Sequence, residues 1–288
     1  MAAKVIAFVN MKGGVAKTTT TVGVATILTS LYHKKVMVID LDPQANASFM
    51  LMGEERWMNC DLENRTLYRL FEESLRGRTC DIDEILQKNV SGLTDVKNLD
   101  LLPSDTRLFE MDYNIIMESK TSSLLGFSMV DFIRHNIEHL LDDYDYVLID
   151  CPPNLGIITL NGLKITDGFV IPTIPDTLST FGIINVVKRI QDFSASSGHP
   201  IEPYGILYTK VRTQYATHKR IMEELPYREA YQGLPIFQTN FGESTTVTSS
   251  SEYVEGISTK KKWGYTSPHY QCLVSFTDEL REKLGDLS

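Results

Sequence analysis

The feature that most constrains this chain is a glycine pair set between a short apolar run and a long threonine-led segment. "KVIAFV" (4–9) leads straight into "NMKGGVAKTTT" (10–20). The first run is β-branched-rich and short, the pattern of a buried parallel strand. From Thr18 onward apolar residues recur at helical spacing and the segment ends basic at "YHKK", which predicts a helix starting near Thr18. "KVMVID" (35–40) supplies the next strand. Strand, glycine loop, helix and strand form the βαβ context in which the unpaired N–H groups at a helix start gather an anion.

The loop departs from the ordinary phosphate-binding pattern. With Lys17 as the lysine of G-x-x-x-x-G-K-[ST], the fixed glycines fall at positions 11 and 16, which hold Met11 and Ala16. Gly13 and Gly14 still let the backbone wrap closely around phosphates, Lys17 can reach the terminal oxygens, and the Thr18 hydroxyl can ligate Mg²⁺. Ala16 is expected to take a negative φ as the first helical residue. Lys12 is an extra cation whose purpose the loop alone leaves open. Downstream, "YVLID" ends at Asp150, a strand-end carboxylate of the kind that holds a Mg²⁺ shell, and "VIDLDPQAN" places Asp40 and Asp42 at the end of the 35–40 strand. Alone, such a carboxylate is ordinarily a cap or turn residue. Their joint order points instead to a nucleotide site at the carboxyl edge of a sheet.

The rest of the chain alternates in the same way. Strands are expected at 99–104, 144–153, 168–173, 204–209 and 234–238. Helices are expected at 66–77, 82–88, 128–144, near 156–166, 179–194 and 216–225, and at 267–284. The stretch from about 50 to 95 is polar and gives the weakest pattern. The alternation predicts an α/β fold, a single doubly wound, mostly parallel sheet flanked by helices, and the want of a Pro/Gly/Ser-rich linker predicts one domain over 1–288.

Composition narrows the function classes. No apolar run approaches the roughly 20 residues of a membrane span, and the N-terminus turns to Gly and Lys too early for a signal peptide, so a cytoplasmic protein is expected. The four cysteines, Cys60, Cys80, Cys151 and Cys272, are scattered without metal-ligand spacing. A net charge of −9 means that any nucleic-acid contact must come from a local basic patch.

"KGGVAKTT", "DLDPQAN" and "LIDCPPNLG" together resemble the deviant-Walker-box ATPases of the ParA/Soj and MinD group. "NRTLYRLF", "LDLLPS", "LNGLKITDGFVIPT" and "TFGI" extend the resemblance in matching order through most of the chain. That group places its glycines where Gly13 and Gly14 stand and needs none at position 11; its usual glycine before the lysine is Ala16 here. The resemblance implies ATP and Mg²⁺ as ligands and Lys12 as a signature lysine that crosses to the phosphates of a second subunit in an ATP-dependent homodimer. It implies a catalytic set of Lys12, Lys17 and Asp42, and a metal set of Thr18 and Asp150 with Asp40 as an outer partner. The nucleotide-binding set would run through Gly13, Gly14, Val15, Ala16, Lys17, Thr18 and Thr19, with Thr209, Gln238 and Thr239 at the adenine end.

ParA-like relatives bind DNA without sequence preference in the ATP state. The basic candidates here are Lys210, Arg212, Lys219 and Arg220, and the triplet Lys260, Lys261 and Lys262, whereas "FGESTTVTSSSE" lacks the arginines that relatives carry there. The resemblance further implies slow hydrolysis, stimulation by a ParB-like, cargo-bound activator, association with the nucleoid, and positioning or segregation of a plasmid, chromosome or protein organelle. With the first strand at Lys4, no N-terminal DNA-reading extension is expected. A MinD-like membrane switch would need a basic amphipathic C-terminal helix, and "TDELREKLGDLS" is acidic. An iron–sulfur reductase related to nitrogenase iron protein would need a second cluster cysteine beside Cys151.

Overall fold

In the computed structural model, residues 3–119, 128–243, 252–264 and 268–286 are described. β1 (Lys4–Phe8) runs into the glycine loop and α1 (Lys17–Ser30), and β2 (Val36–Asp40) follows. Then come α2 (Asn46–Met52), α3 (Glu54–Leu62), α4 (Leu67–Leu75), α5 (Ile82–Ile85), β3 (Leu99–Leu102), α6 (Leu108–Ser119) and α7 (Phe132–Ile137). The second half holds β4 (Tyr146–Asp150), α8 (Ile157–Leu163), β5 (Gly168–Thr173), α9 (Thr177–Ser197), β6 (Glu202–Tyr208) and α10 (Ala216–Glu224). A short helix Thr259–Lys262 and a C-terminal helix Pro268–Lys283 complete the described elements.

The strands form one six-stranded parallel sheet in the order β3-β2-β4-β1-β5-β6. Alternation along β1 shows why both faces are covered. Val5 and Ala7 point into one apolar cluster with Leu163 of α8 and Ile183 of α9, whereas Ile6 and Phe8 point into another with α1 and the C-terminal helix. The chain leaves β1 towards β2 and β3, then returns through β4 and crosses to β5 and β6 beyond β1. The loops after β1, β2 and β4 therefore meet at one place on the carboxyl edge, where ligands of open α/β sheets bind. Register completes the placement, because Asp150 pairs with Phe8 on one side and with Asp40 on the other.

The fold class is as expected, two local readings are corrected, and three helices had not been expected. The run 234–238 makes only an isolated bridge between Ile236 and Ile206. Pro235 accepts from Ile206 N at 2.9 Å but has no N–H to give back, so a ladder cannot grow through it. The helix expected at 128–144 is α7 followed by a 3₁₀ segment over Glu138–Asp143, the tighter winding common at helix ends. Helices α2, α3 and α6 had no sequence-level counterpart; α3 buries only Cys60, so it has almost no apolar periodicity to read.

Candidate functional site

The loop between β1 and α1 is shaped by Asn10 before any ligand arrives. Its side-chain amide donates to Pro172 O at 2.8 Å, and its Oδ1 accepts from Lys12 N at 2.9 Å, which fixes the loop entrance to β5. Gly14 has φ +73 with open space where a Cβ would stand, so backbone can approach a ligand there. Thr209 Oγ1 donates to Val15 O at 3.0 Å and ties the loop floor to the end of β6.

Ala16 differs from expectation. It is the N-cap of α1, not its first helical residue, and has φ 63, ψ 31, in the left-handed region. The turn from loop to helix requires that conformation, and alanine holds it against the clash of its Cβ with the backbone.

The threonine run divides its labour. Thr18 and Thr19 face the cleft, Thr20 Oγ1 donates to Ala16 O at 2.7 Å, and Thr21 Oγ1 donates to Lys17 O at 3.0 Å and to Asp150 Oδ1 at 3.4 Å. Lys17 is buried with its Nζ on Lys12 O at 3.2 Å. Burial lowers its pKa, opposed by Asp150, Cys151 and Asp42.

Asp150 is fully buried at the end of β4, and its Oδ2 has no hydrogen-bond partner. Burial pushes its carboxyl up to about 7; Thr18 and Lys17 pull it down, and Asp42 pushes it up. A buried carboxylate oxygen left without a partner is costly, and its natural complement is a cation or a metal-bound water. Beside it, Asp40 is consumed by the fold. Its Oδ2 accepts from Ser48 N at 2.8 Å and Ser48 Oγ at 2.7 Å, and its Oδ1 accepts from Asp42 N at 3.2 Å. Burial, then the charge of Asp150, holds the Asp40 carboxyl well above its ordinary range despite the Ser48 bonds. Asp42, which accepts from Gln44 N at 3.0 Å, lies in the cleft wall.

Gly13 through Thr20, Asp42 and Thr209 line one cleft of about 570 Å³. Gln44, Asn46, Phe49 and Met50 of the α2 region, Pro153, Lys210, Phe241–Glu243 and His269 complete it. Of the residues expected at the adenine end, Thr209 lies in this cleft. Gln238 and Thr239 instead give their N–H groups to Glu279 of the C-terminal helix at 2.7 and 3.1 Å, and Phe241–Glu243, two to five residues further on, form the wall. Pairing explains the offset: Phe241 N donates to Tyr208 O and Glu243 N to Val211 O, so this segment runs beside the end of β6. Two aromatic contacts back the cleft wall. Phe49 packs against Trp57 with centroids 4.5 Å apart and the rings tilted by 42°, and the His269 ring lies 5.6 Å from the buried ring of Trp263.

The basic candidates separate. Lys219, Arg220, Lys260 and Lys261 are exposed. Lys262 is not on the surface: it is buried, its Nζ on Met50 O at 3.3 Å, and burial lowers its pKa to about 8. The turn that exposes Lys260 and Lys261 rotates the third lysine inward beside Trp263. Arg212 is engaged with Glu243 by two hydrogen bonds, the Nη2–Oε1 bond 2.6 Å long, and lies over the Tyr215 ring. All four cysteines are free, and no group of three or more His, Cys, Asp or Glu suited to holding a metal occurs among the described residues.

Residues 3–202 match the AAA domain family. The chain is 28% identical over 222 residues to the sporulation initiation inhibitor protein Soj of Bacillus subtilis, covering 77% of this chain and 78% of that one. Among solved structures, apo McdA from Cyanothece matches with a TM-score of 0.75 at 20% identity, covering 98% of this chain and all of that one. Cobyrinic acid a,c-diamide synthase from Mycobacterium smegmatis, with an ATP analog and magnesium, matches with a TM-score of 0.74 at 24% identity, over 97% and 95% of the two chains. At such identities the two structures testify to the fold.

Proposed function

Because this chain belongs to the AAA domain family and is ParA/Soj-like within it, we propose that it is an ATP-driven positioning ATPase. In this reading it dimerises on ATP, binds DNA without sequence preference in that state, and segregates or positions a cargo. The observation that carries the reading is convergence: the glycine loop, Thr18 and Asp42 line one cleft, and the buried Asp150, whose Oδ2 has no partner, lies behind it within electrostatic reach of Thr18, Lys17 and Asp42.

The donor set fits Mg²⁺, since Thr18, Asp42 and Asp150 offer hard oxygens only. Bound there with nucleotide, Mg²⁺ would supply neutralisation of the charge on the triphosphate. Asp150 and Thr18 are the residues that would hold it, and Asp40 supports them by fixing the backbone of Asp42. The N–H groups of Gly13–Thr19 cradle the phosphates. Lys17 moves its ammonium from Lys12 O onto the β- and γ-oxygens. Asp42, anchored by the Gln44 amide, orients the attacking water. Lys12 places a cation on the triphosphate of a second copy, which makes dimerisation depend on a γ-phosphate that ADP lacks.

Lys210, Arg212, Lys219, Arg220, Lys260 and Lys261 form the DNA-contacting set of this reading, and a cargo-bound activator would stimulate turnover. The membrane-switching alternative needs the apolar face of the C-terminal helix free, but Leu273, Phe276 and Leu280 of that helix are buried in the core. No helix among the described residues is long and apolar enough to cross a membrane.

The test is a mobility shift on non-specific duplex with ATP, ADP or no nucleotide, alongside phosphate release. A shift confined to ATP and weakened by salt is expected. Equal shifts with ADP, or no ATP turnover with and without DNA, would overturn the reading.

A further inference from the structure

The ammonium of Lys12 is committed within its own chain. Nζ lies 3.1 Å from Asp176 Oδ2 and 3.4 Å from Oδ1, and it donates to Ser179 Oγ at 2.6 Å. Asp176 is the N-cap of α9, with Oδ1 accepting from Ser179 N at 2.7 Å and Oδ2 from Ser179 Oγ at 2.8 Å. Partial burial acts to raise the Asp176 carboxyl, but the Ser179 amide and hydroxyl and the Lys12 ammonium hold it below its ordinary value. The anchor is thus built before the lysine reaches it, because the helix cap already orients both oxygens.

We propose that Asp176 and Ser179 are positioning residues that park Lys12 in cis, so that its ammonium must leave α9 before it can reach the triphosphate of a second copy of this chain. The proposal rests on the trans role of Lys12 given above. Two observations make the anchor releasable. Its side chains are 39% and 30% exposed, so solvent and salt weaken the pair. Lys12 is also held at its carbonyl by Lys17 Nζ. Once Lys17 turns to a phosphate, that bond is lost and Lys12 is loosened from the nucleotide side. The cis pair therefore competes with dimerisation when the cleft carries no triphosphate, and yields when it does.

The test compares the wild type with Asp176→Asn, Asp176→Glu and Ser179→Ala. Asparagine keeps a helix-capping oxygen while removing the charge, so a loss of fold is not the readout. The first measurement is the rate at which a succinimidyl ester acylates Lys12 in nucleotide-free protein, followed by mass spectrometry of the loop peptide. Asp176→Asn should raise that rate about twofold to fivefold, as release of a partly exposed ion pair allows. Ser179→Ala should raise it less, and Asp176→Glu should return it towards the wild type. Equal rates in the wild type and Asp176→Asn overturn the proposal. The second measurement is sedimentation velocity with ATP. Asp176→Asn should dimerise at a lower protein concentration, and unchanged or weaker dimerisation overturns the cis competition. A wild type that stays monomeric with ATP at every concentration refutes the dimer reading itself, while the acylation rates still decide whether Asp176 holds Lys12.

Discussion

Ala16 and Lys262 each hold a residue where its own chemistry is at odds with its place. At Ala16 an L-side chain occupies φ 63, where glycine is free of strain. Ala16→Gly should therefore stabilise the protein by about 0.5–1 kcal/mol, net of the extra freedom glycine gives the unfolded chain. Calorimetry should show a higher thermal midpoint, and a lower one would mean the left-handed turn costs nothing. At Lys262 the pKa falls from 10.5 to about 8 because burial disfavours the ammonium. Between those values the unfolded chain binds more protons than the folded one, so stability rises with pH through that window, and below about 8 the burial cost is present in full. Lys262→Met should raise stability by roughly 1–3 kcal/mol at pH 7. The gain should vanish above about pH 10.5, as denaturant titrations at the two pH values would show. A gain independent of pH would refute the buried charge.

At the scale of elements, the opening turns of α9 show what patterning can and cannot reveal. Leu178 and Phe181 are 81% and 69% exposed on the same turns as Asp176 and Ser179. In the proposed face-to-face dimer these two side chains are expected to be covered by the second copy. Phe181→Ser should weaken ATP-dependent dimerisation about tenfold, read by sedimentation, while nucleotide affinity of the monomer holds. A dimer of unchanged strength would place α9 outside the interface. The sequence announces α9 as a helix near 179–194 because Ile183, Val186 and Ile190 keep helical spacing towards the core. It is silent on α2, which brings Phe49 and Met50 to the cleft, because seven mostly buried residues are too few to show a period, and on α3 because nine residues that bury only Cys60 leave none to detect. At 234–238 an apolar run carries a strand signal whether or not Pro235 can pair.

Across the whole molecule, the candidate nucleotide site was legible because its parts are local motifs at strand ends, and parallel register brings such ends together without further instruction. The Lys12–Asp176 contact spans 164 positions and Arg212–Glu243 spans 31, and pairings at that distance are set by packing that no short pattern encodes. In a chain of net charge −9 such pairings decide where positive potential survives. Glu243 already offers Arg212 a carboxylate partner, with which a phosphate of the proposed DNA ligand has to compete. Glu243→Gln should tighten DNA binding and steepen its dependence on the logarithm of salt by about one unit per protomer, as measured by anisotropy. An unchanged slope would remove Arg212 from the DNA surface. The two aromatic contacts beside the cleft have an optical consequence. The chain's only two tryptophans, Trp57 against Phe49 and Trp263 against His269, each stand one side chain from the cleft wall, on different elements. The unmodified protein therefore carries two indole fluorophores, one half-exposed and one buried, whose emission should report nucleotide entry from both sides of the cleft without a label.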